Sequence, residues 1–498
     1  MILTCAEMKA LEARAFADGV PPEALMDEAG AEIAAAVRQF CPGAGKCVVF
    51  FGKGHNGGDA LVAARHLASS HWEIELRAVF PEEAWSDLTR KQHRRFHDAA
   101  ERAGETVGPR ACPPVTIVLD GLLGIGSGGA LREPVRAAAK EINRLRKQDG
   151  ALVFALDLPT GLDADSGATD ADCVVADHTL SIGFAKRGLL ADGATHFTGR
   201  LAVLPLAELS ARAASTRPAE TVATPRTLAG LLPRRSFDTH KGGCGRVGIV
   251  AGSVGLTGAA VMTAEACVHA GAGLVTLYVT PEIYPIVAAR STPEVMVTPV
   301  ATFEEILSAR HDVLAIGPGL GGARGEEVLA LIERAHQPMV VDADALNLLA
   351  SRIATLDRAL GPRLLTPHPG EMARLEPASL TRSRRGAVEA FTARFPATLL
   401  LKGARTLVGE RGFPLSYNTT GNPGMATGGM GDVLTGVCAA LAGQGLALYD
   451  AARLGAWLCG RAAELAVFGG GESEESLSAS HVIGRLGEAF RNLRAGCW

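Results

Sequence analysis

Short runs of Val, Ile and Leu alternate with Ala-rich stretches of helical spacing along most of this 498-residue chain, and the alternation breaks once. Strand, glycine-bearing turn and helix in repeated succession build parallel sheets covered by helices. In the first half the predicted strands are Cys47–Phe51, Thr116–Leu119, Leu152–Leu156, Thr179–Ile182 and Leu201–Leu204. The rhythm resumes with Val247–Ala251, Leu274–Val279, Val313–Ile316, Met339–Val341, Arg363–Thr366 and Leu399–Leu401. Between them, Glu208 to Val222 is polar and small and is expected to be a linker without a buried strand. Two α/β domains follow, over 1–215 and 220–498, a number the chain length allows.

Bulk properties narrow the class. A hydrophobic content of 47% with 20% charged residues suits a soluble globular enzyme and excludes a disordered chain. A net charge of −4 argues against nucleic acid as a partner. The basic cluster Arg90–Arg95 carries no aromatic platform and is expected to be a solvated helix face. No apolar run reaches the roughly 18 residues of a membrane span, and the first residues lack a signal-peptide pattern. Ten cysteines without a C-x-x-C pair are expected to be reduced, mostly buried thiols of a cytoplasmic protein, with no structural zinc.

The segment Thr419–Gly436 carries the most chemistry. A glycine-rich turn feeds a helical apolar pattern beginning at Val433, with Asp432 at its mouth. Unpaired N–H groups at a helix start favour an anionic ligand, and Asp432 is a candidate general base. In the first half, Gly52, Gly54 and Gly57 fit G-x-G-x-x-G between a strand and a helix. Asn56, Gly57, Gly58 and Asp59 suit a site holding phosphate and a cation, and Asp120 and Asp157 close two later strands. Ligands bind outside the carboxyl ends of such strands, so Asn56, Asp120 and Asp157 are expected to converge. Glu73 and Glu75 stand where a ribose-binding acid would stand, a match attributed to chance. In the second half, His368 lies between two prolines and Lys402 ends an apolar strand. A buried lysine without an anionic partner is costly, so Lys402 is expected to neutralise phosphate. His368 is either a ligand donor or a solvated turn residue. The pair Asp342 and Asp344 either binds magnesium indirectly or ends its strand.

G-K-G-H-N-G-G-D, D-G-L-L-G-I-G, D-L-P-T-G-L-D-A-D-S-G and F-A-K-R-G-L-L together resemble the NAD(P)H-hydrate epimerase domain, over most of residues 1–215. H-K-G-G-C-G, L-T-G-A-A, G-P-G-L-G, D-A-D-A-L, T-P-H-P-G-E, K-G-A and G-N-P-G-M-A-T-G-G-M-G-D-V-L-T-G resemble the ADP-dependent NAD(P)H-hydrate dehydratase family. The resemblance implies a Rossmann-like three-layer domain followed by a ribokinase-like α/β domain. It implies that the chain epimerises the R and S forms of hydrated NADH or NADPH at C6 and dehydrates the S form with ADP, leaving AMP and phosphate. It places the hydrated substrate against His55, Asn56, Gly57, Gly58, Asp59, Gly124, Ile125, Gly126, Ser127, Gly128, Gly129, Ala130 and Asp157 in the first domain. In the second domain it places the substrate against Ala259, Gly319, His368 and Asp432. The nucleotide falls to Lys402, Gly403, Ala404, Arg405, Thr406 and Gly431, and potassium to Asn56, Asp120 and Thr160. Lys186 stands at a family position beside the first pocket. Mg2+ arriving with ADP and a homo-oligomer are implied too. Asp432 and Asp157 are the expected catalytic carboxylates. The chain departs from the family at His55, Ala60, Thr160 and Met430. The alternative is a kinase of a small vitamin alcohol carrying a non-catalytic N-terminal nucleotide-binding module.

Overall fold

The computed structural model describes residues 1–103, 115–126, 128–214, 218–232 and 234–498. The chain divides into two compact units, Met1–Pro218 with Trp498, and Ala219–Cys497.

In the first unit, six parallel strands are described: β1 (Lys46–Phe51), β2 (Glu73–Ala78), β3 (Thr116–Gly121), β4 (Leu152–Leu156), β5 (His178–Ile182) and β6 (Arg200–Leu204). They lie in the order 2-1-3-4-5-6. The runs VVFF of β1 and VFAL of β4 are buried throughout, as strands covered on both faces require. The order reverses between β1 and β3, so the turns leaving these strands part and open a crevice at their carboxyl ends. Strand β2 escapes sequence analysis because it is polar and sits at the edge. Its Glu75 is held by Lys46 at 2.6 Å and Arg77 at 2.7 Å, an edge ion-pair network. A separate ribbon pairs Ile2–Leu3 with Ala185–Lys186 and so fixes Lys186.

The second unit has a ten-stranded sheet among the described residues. Its members are β7 (Glu220–Val222), β8 (Arg246–Val250), β9 (Leu274–Val279), β10 (Val295–Pro299), β11 (Val313–Ile316), β12 (Met339–Val341), β13 (Arg363–Leu365), β14 (Thr398–Leu401), β15 (Leu407–Gly409) and β16 (Leu415–Tyr417). The order is 10-9-8-11-12-13-14-15-16-7, with β15 antiparallel to both neighbours. The switch point falls between β8 and β11. The expected Rossmann-like and ribokinase-like α/β classes agree with these two helix-covered, mostly parallel sheets.

The expected linker holds the boundary between the units at Pro218/Ala219, but it is not free of buried structure. Ala207–Ala213 is a helix that buries Leu209 and Ala213, and Glu220–Val222 is the edge strand paired with β16. Its polar character misleads because Glu220 enters the edge already partnered, by the Tyr417 hydroxyl at 3.2 Å and Arg385 at 3.3 Å. The basic cluster also has partners: Arg90 pairs with Asp87, and Lys91 and Arg95 pair with Glu23. The described cysteines are unpaired and mostly buried. No helix among the described residues is long and apolar enough to cross a membrane.

Two helices, Thr257–His269 and Met430–Gly443, pack in the core of the second unit. A Cβ at Gly436 would stand 2.2 Å from the Thr263 carbonyl oxygen, a backbone atom that has nowhere to go. Gly436→Ala is therefore expected to destabilise this unit by about 2 kcal/mol, read as a lower urea midpoint at unchanged slope.

Candidate active sites at the two switch points

In the first unit, β1 leads into Gly52 and then the helix His55–Ala68, which starts at Gly54 with no side-chain cap. The helix start is pressed against the strand, since a Cβ on Gly57 would lie 2.1 Å from the Gly52 carbonyl oxygen. This leaves the first N–H groups of the helix for a ligand. The Asn56 amide nitrogen donates to the Leu123 carbonyl oxygen at 2.9 Å, tying the β1 and β3 turns together. Asn56 Oδ1 is buried and has no hydrogen-bond partner. Asp120 is wholly buried at the end of β3 and accepts from the Thr160 N–H at 2.8 Å and the Thr160 hydroxyl at 2.7 Å. Burial pushes its carboxyl up to about 6, against the pull of these hydrogen bonds. Asp157, at the end of β4, adopts φ +67°. It is ion-paired with Lys186, whose side chain is 1% exposed, and accepts from the Ile182 N–H at 3.2 Å. Lys186 also donates to the Ile182 carbonyl oxygen at 2.7 Å. A Cβ added at Gly124 would lie 3.5 Å from Asn56 Cβ and 3.8 Å from Asp157 Oδ2, so these three positions converge.

His55 is exposed, and Gly126, Gly128, Gly129 and Ala130 form an exposed turn beyond Gly124 and Ile125. Ser127 lies outside the described residues. Ala60, one of the departures, is fully buried against Gly121 and belongs to the packing. Asp59 is raised well above the usual carboxylate range by burial, reinforced by Asp157 and Glu12 and opposed by Lys186. Glu12 escapes sequence analysis. It sits on an ordinary amphipathic helix, Cys5–Ala17, and nothing in the local sequence sets it apart.

In the second unit the helix Met430–Gly443 begins at Gly429, φ +89°, again with no side-chain cap. Met430 packs its side chain against the core and leaves the backbone at the helix start. Behind that start, Asp342 ends β12 with 1% exposure. It accepts from Lys402 Nζ at 2.8 Å and from the Thr435 hydroxyl at 2.8 Å. Lys402 also faces Glu371 at 3.7 Å. The protein supplies Lys402 with two carboxylates of its own, so the premise that its charge lacks an anionic partner does not hold. Burial works against the Lys402 charge, but Asp342, Glu371 and Asp432 outweigh it and hold its ammonium above the ordinary value. A Cβ on Gly431 would lie 3.3 Å from Lys402 Nζ and 3.5 Å from Asp342 Oδ2, so only glycine leaves that space open. Burial pushes the Asp432 carboxyl up to about 6, with Asp342 and Asp344 adding to the rise and Lys402 opposing it.

Asp344 and His368 both have partners within the protein. Asp344 accepts from the Gly321 N–H at 2.8 Å and so shapes the turn after β11. His368 caps its own helix: Nδ1 accepts from the Gly370 N–H at 3.0 Å, and the ring is half exposed. The Lys402 N–H donates to the Pro367 carbonyl oxygen at 2.8 Å, which joins the His368 and Lys402 turns. Gly319, φ +63°, lies against Ala259, where a Cβ would approach Ala259 Cβ to 3.0 Å. Gly403 and Ala404 are exposed, whereas the Arg405 side chain is buried. Among the described residues no group of three or more His, Cys, Asp or Glu could hold a metal.

Two α/β units, each with an uncapped helix start and buried carboxylates at the switch point of a parallel sheet, define a two-domain enzyme acting on phosphate-bearing ligands. The chain is 36% identical to the bifunctional NAD(P)H-hydrate repair enzyme Nnr of Moorella thermoacetica, across 99% of this chain and 97% of the relative. It belongs to the family of bifunctional NAD(P)H-hydrate repair enzymes. The relative of that name in Escherichia coli is 36% identical across 89% of this chain and 84% of its own. Residues 247–483 match the family model described as NAD(P)H-hydrate dehydratase, and residues 22–188 match the YjeF-related protein N-terminus. The Bacillus subtilis ADP/ATP-dependent NAD(P)H-hydrate dehydratase co-crystallised with ATP/Mg2+ is 25% identical. It covers 55% of this chain and 99% of its own, with a TM-score of 0.49.

Proposed function

We propose that the second unit dehydrates the S form of hydrated NADH or NADPH with ADP, and that the first unit converts the R form into it. One observation carries this reading: Asp432, a carboxyl raised to about 6, stands at the uncapped start of a helix beside Lys402. Hydroxide leaves poorly and phosphate leaves well. Asp432 takes the proton of the C6 hydroxyl as that oxygen attacks the β-phosphate of ADP, releasing AMP. Phosphate then leaves from C6 and a proton leaves from C5, which forms the C5=C6 double bond and restores the ring. The N–H groups at Met430 and Gly431 and the Lys402 ammonium face the charge that develops on phosphate. Ala259, Gly319 and His368 contact the hydrated ring, and Lys402 to Thr406 with Gly431 contact the nucleotide. Mg2+ bound to the nucleotide phosphates would shield their charge. With ADP, the S hydrate should yield NADH, AMP and phosphate in equal amounts by chromatography. A stable phosphorylated product formed from ATP would instead establish the kinase alternative.

In the first unit, the substrate lies along His55–Asp59 and Gly124–Ala130. Asp157, ion-paired with Lys186, is given an electrostatic part here, facing positive charge on the ring. Asn56, Asp120 and Thr160 suit a bound potassium ion, because Asn56 Oδ1 is a buried oxygen without a partner and Asp120 is a buried carboxylate. The cation would balance substrate phosphate and lock the turns after β1, β3 and β4. Replacing potassium with tetramethylammonium should slow epimerisation at least about tenfold. Asn56→Ala should be slow in either salt, while dehydration of the S form is unchanged. Gly431→Val fills the space before Lys402 and should raise the KM for ADP at least about tenfold, with the KM for the hydrate moving much less.

A further inference from the structure

A cavity wholly within the first unit is lined by apolar side chains, Phe16, Leu25 and Met26 among them, and by Glu12, His55 and Asp59. Ile182, whose N–H is held by Asp157, also lines it, and Asp157 and Lys186 are near enough for their charges to act on Glu12 and Asp59. Glu12 and Asp59 enter it from different helices, Cys5–Ala17 and His55–Ala68. No hydrogen bond or ion pair engages either carboxyl group among the described residues. Asp157, in contrast, is committed to Lys186 and Ile182.

Inversion at C6 needs chemistry on two faces of one carbon. C6 carries a hydroxyl and adjoins the ring nitrogen, so its C–O bond breaks readily once the oxygen is protonated. We propose that Glu12 and Asp59 are the two proton carriers of the epimerisation, one on each face of a reduced nicotinamide ring held in this cavity. The proposal rests on the epimerase reading given above. Glu12 gives its proton to the C6 hydroxyl, which leaves as water while the ring nitrogen lone pair forms the C6=N1 double bond. A second water adds to C6 from the other face, the new C–O bond forms, and the water's proton passes to Asp59. The pair then holds its proton on the opposite member, ready for the reverse reaction, and solvent exchange resets it. No net oxidation or reduction occurs.

The surroundings suit this. Burial raises Glu12, with Asp157 adding to the rise and Lys186 and Lys9 opposing it, while Asp59 is raised by burial, Asp157 and Glu12. One proton on the pair relieves that repulsion. The ionised member of the pair and Asp157 face the cationic ring and stabilise it.

The test uses the full chain and the R hydrate in oxygen-18 water without ADP, so that dehydration is silent. The epimers are separated chromatographically and weighed by mass spectrometry. The wild type should incorporate one label per inversion. Glu12→Gln should lower inversion and labelling together by about 10²-fold, with ADP-driven dehydration of the S form unchanged. Glu12→Asp keeps a carboxyl, so it should recover part of the rate with a shifted pH profile. Wild-type inversion without label, or Glu12→Gln within threefold of the wild type, overturns the proposal. Equal losses in Glu12→Gln and Glu12→Asp with an unchanged pH profile also overturn it, because they mark a merely structural role. Loss of inversion in Asp157→Asn but not in Glu12→Gln would leave the epimerase reading standing and refute the two carriers. A wild type that does not invert the R hydrate at all refutes both.

Discussion

Asp432→Asn is expected to lower the kcat of ADP-driven dehydration by about 10³-fold, with the KM values for ADP and the S hydrate changed little. The amide keeps the size and the polarity of the side chain but takes no proton. The same residue should set the acid limb of the pH profile. Burial raises Asp432 to about 6, so the carboxylate that acts as base is lost as pH falls through that value. Wild-type kcat should therefore rise across pH 6 and flatten above it, and the residual rate of the asparagine variant should lack that limb. Turnover by the variant at the wild-type rate would remove Asp432 from the base role.

Asp157→Asn is expected to affect both stability and chemistry. Lys186 is 1% exposed and its charge is matched by Asp157. Removing one partner of a buried ion pair leaves the other uncompensated, at a cost of about 3–5 kcal/mol. The carbonyl oxygen of Ile182 still receives Lys186 and softens the loss. Denaturant unfolding followed on the first unit should shift accordingly, and epimerisation should fall by about 10²-fold or more. The double variant Asp157→Asn, Lys186→Met should regain stability relative to Asp157→Asn, since no charge is then left unpaired, but should not regain epimerisation. Recovery of both together would show that Asp157 acts only as a structural partner of Lys186.

The central strands were legible because they are apolar runs buried on both faces, as in VVFF of β1 and VLAI of β11. The strands that escaped are edge or short elements. Glu73–Ala78 is polar with Glu75 paired on the sheet rim, Leu407–Gly409 has three residues, and Glu220–Val222 hides a buried acid whose partners lie far along the chain. The glycine turns and terminal aspartates of both sites were readable as motifs, since a close backbone approach and a helix start leave a local signature. The partners that tune them were not. Lys402 and Asp342 are 60 residues apart, and Lys186 and Asp157 are 29 apart. Glu12 reaches its cavity from a helix with no motif at all. Long-range pairing is decided by the fold, and in this chain it decides what the carboxylates can do.

Repair of both epimers by one chain is tested most directly by absorbance at the reduced nicotinamide band. The full-length protein is given a mixture of R and S hydrates with excess ADP, Mg2+ and potassium. Complete recovery of the absorbance, with AMP formed equal to NADH restored, is the predicted result. Recovery that stops when the S form is exhausted would contradict the role of the first unit. No ADP-dependent recovery at all would contradict the account as a whole.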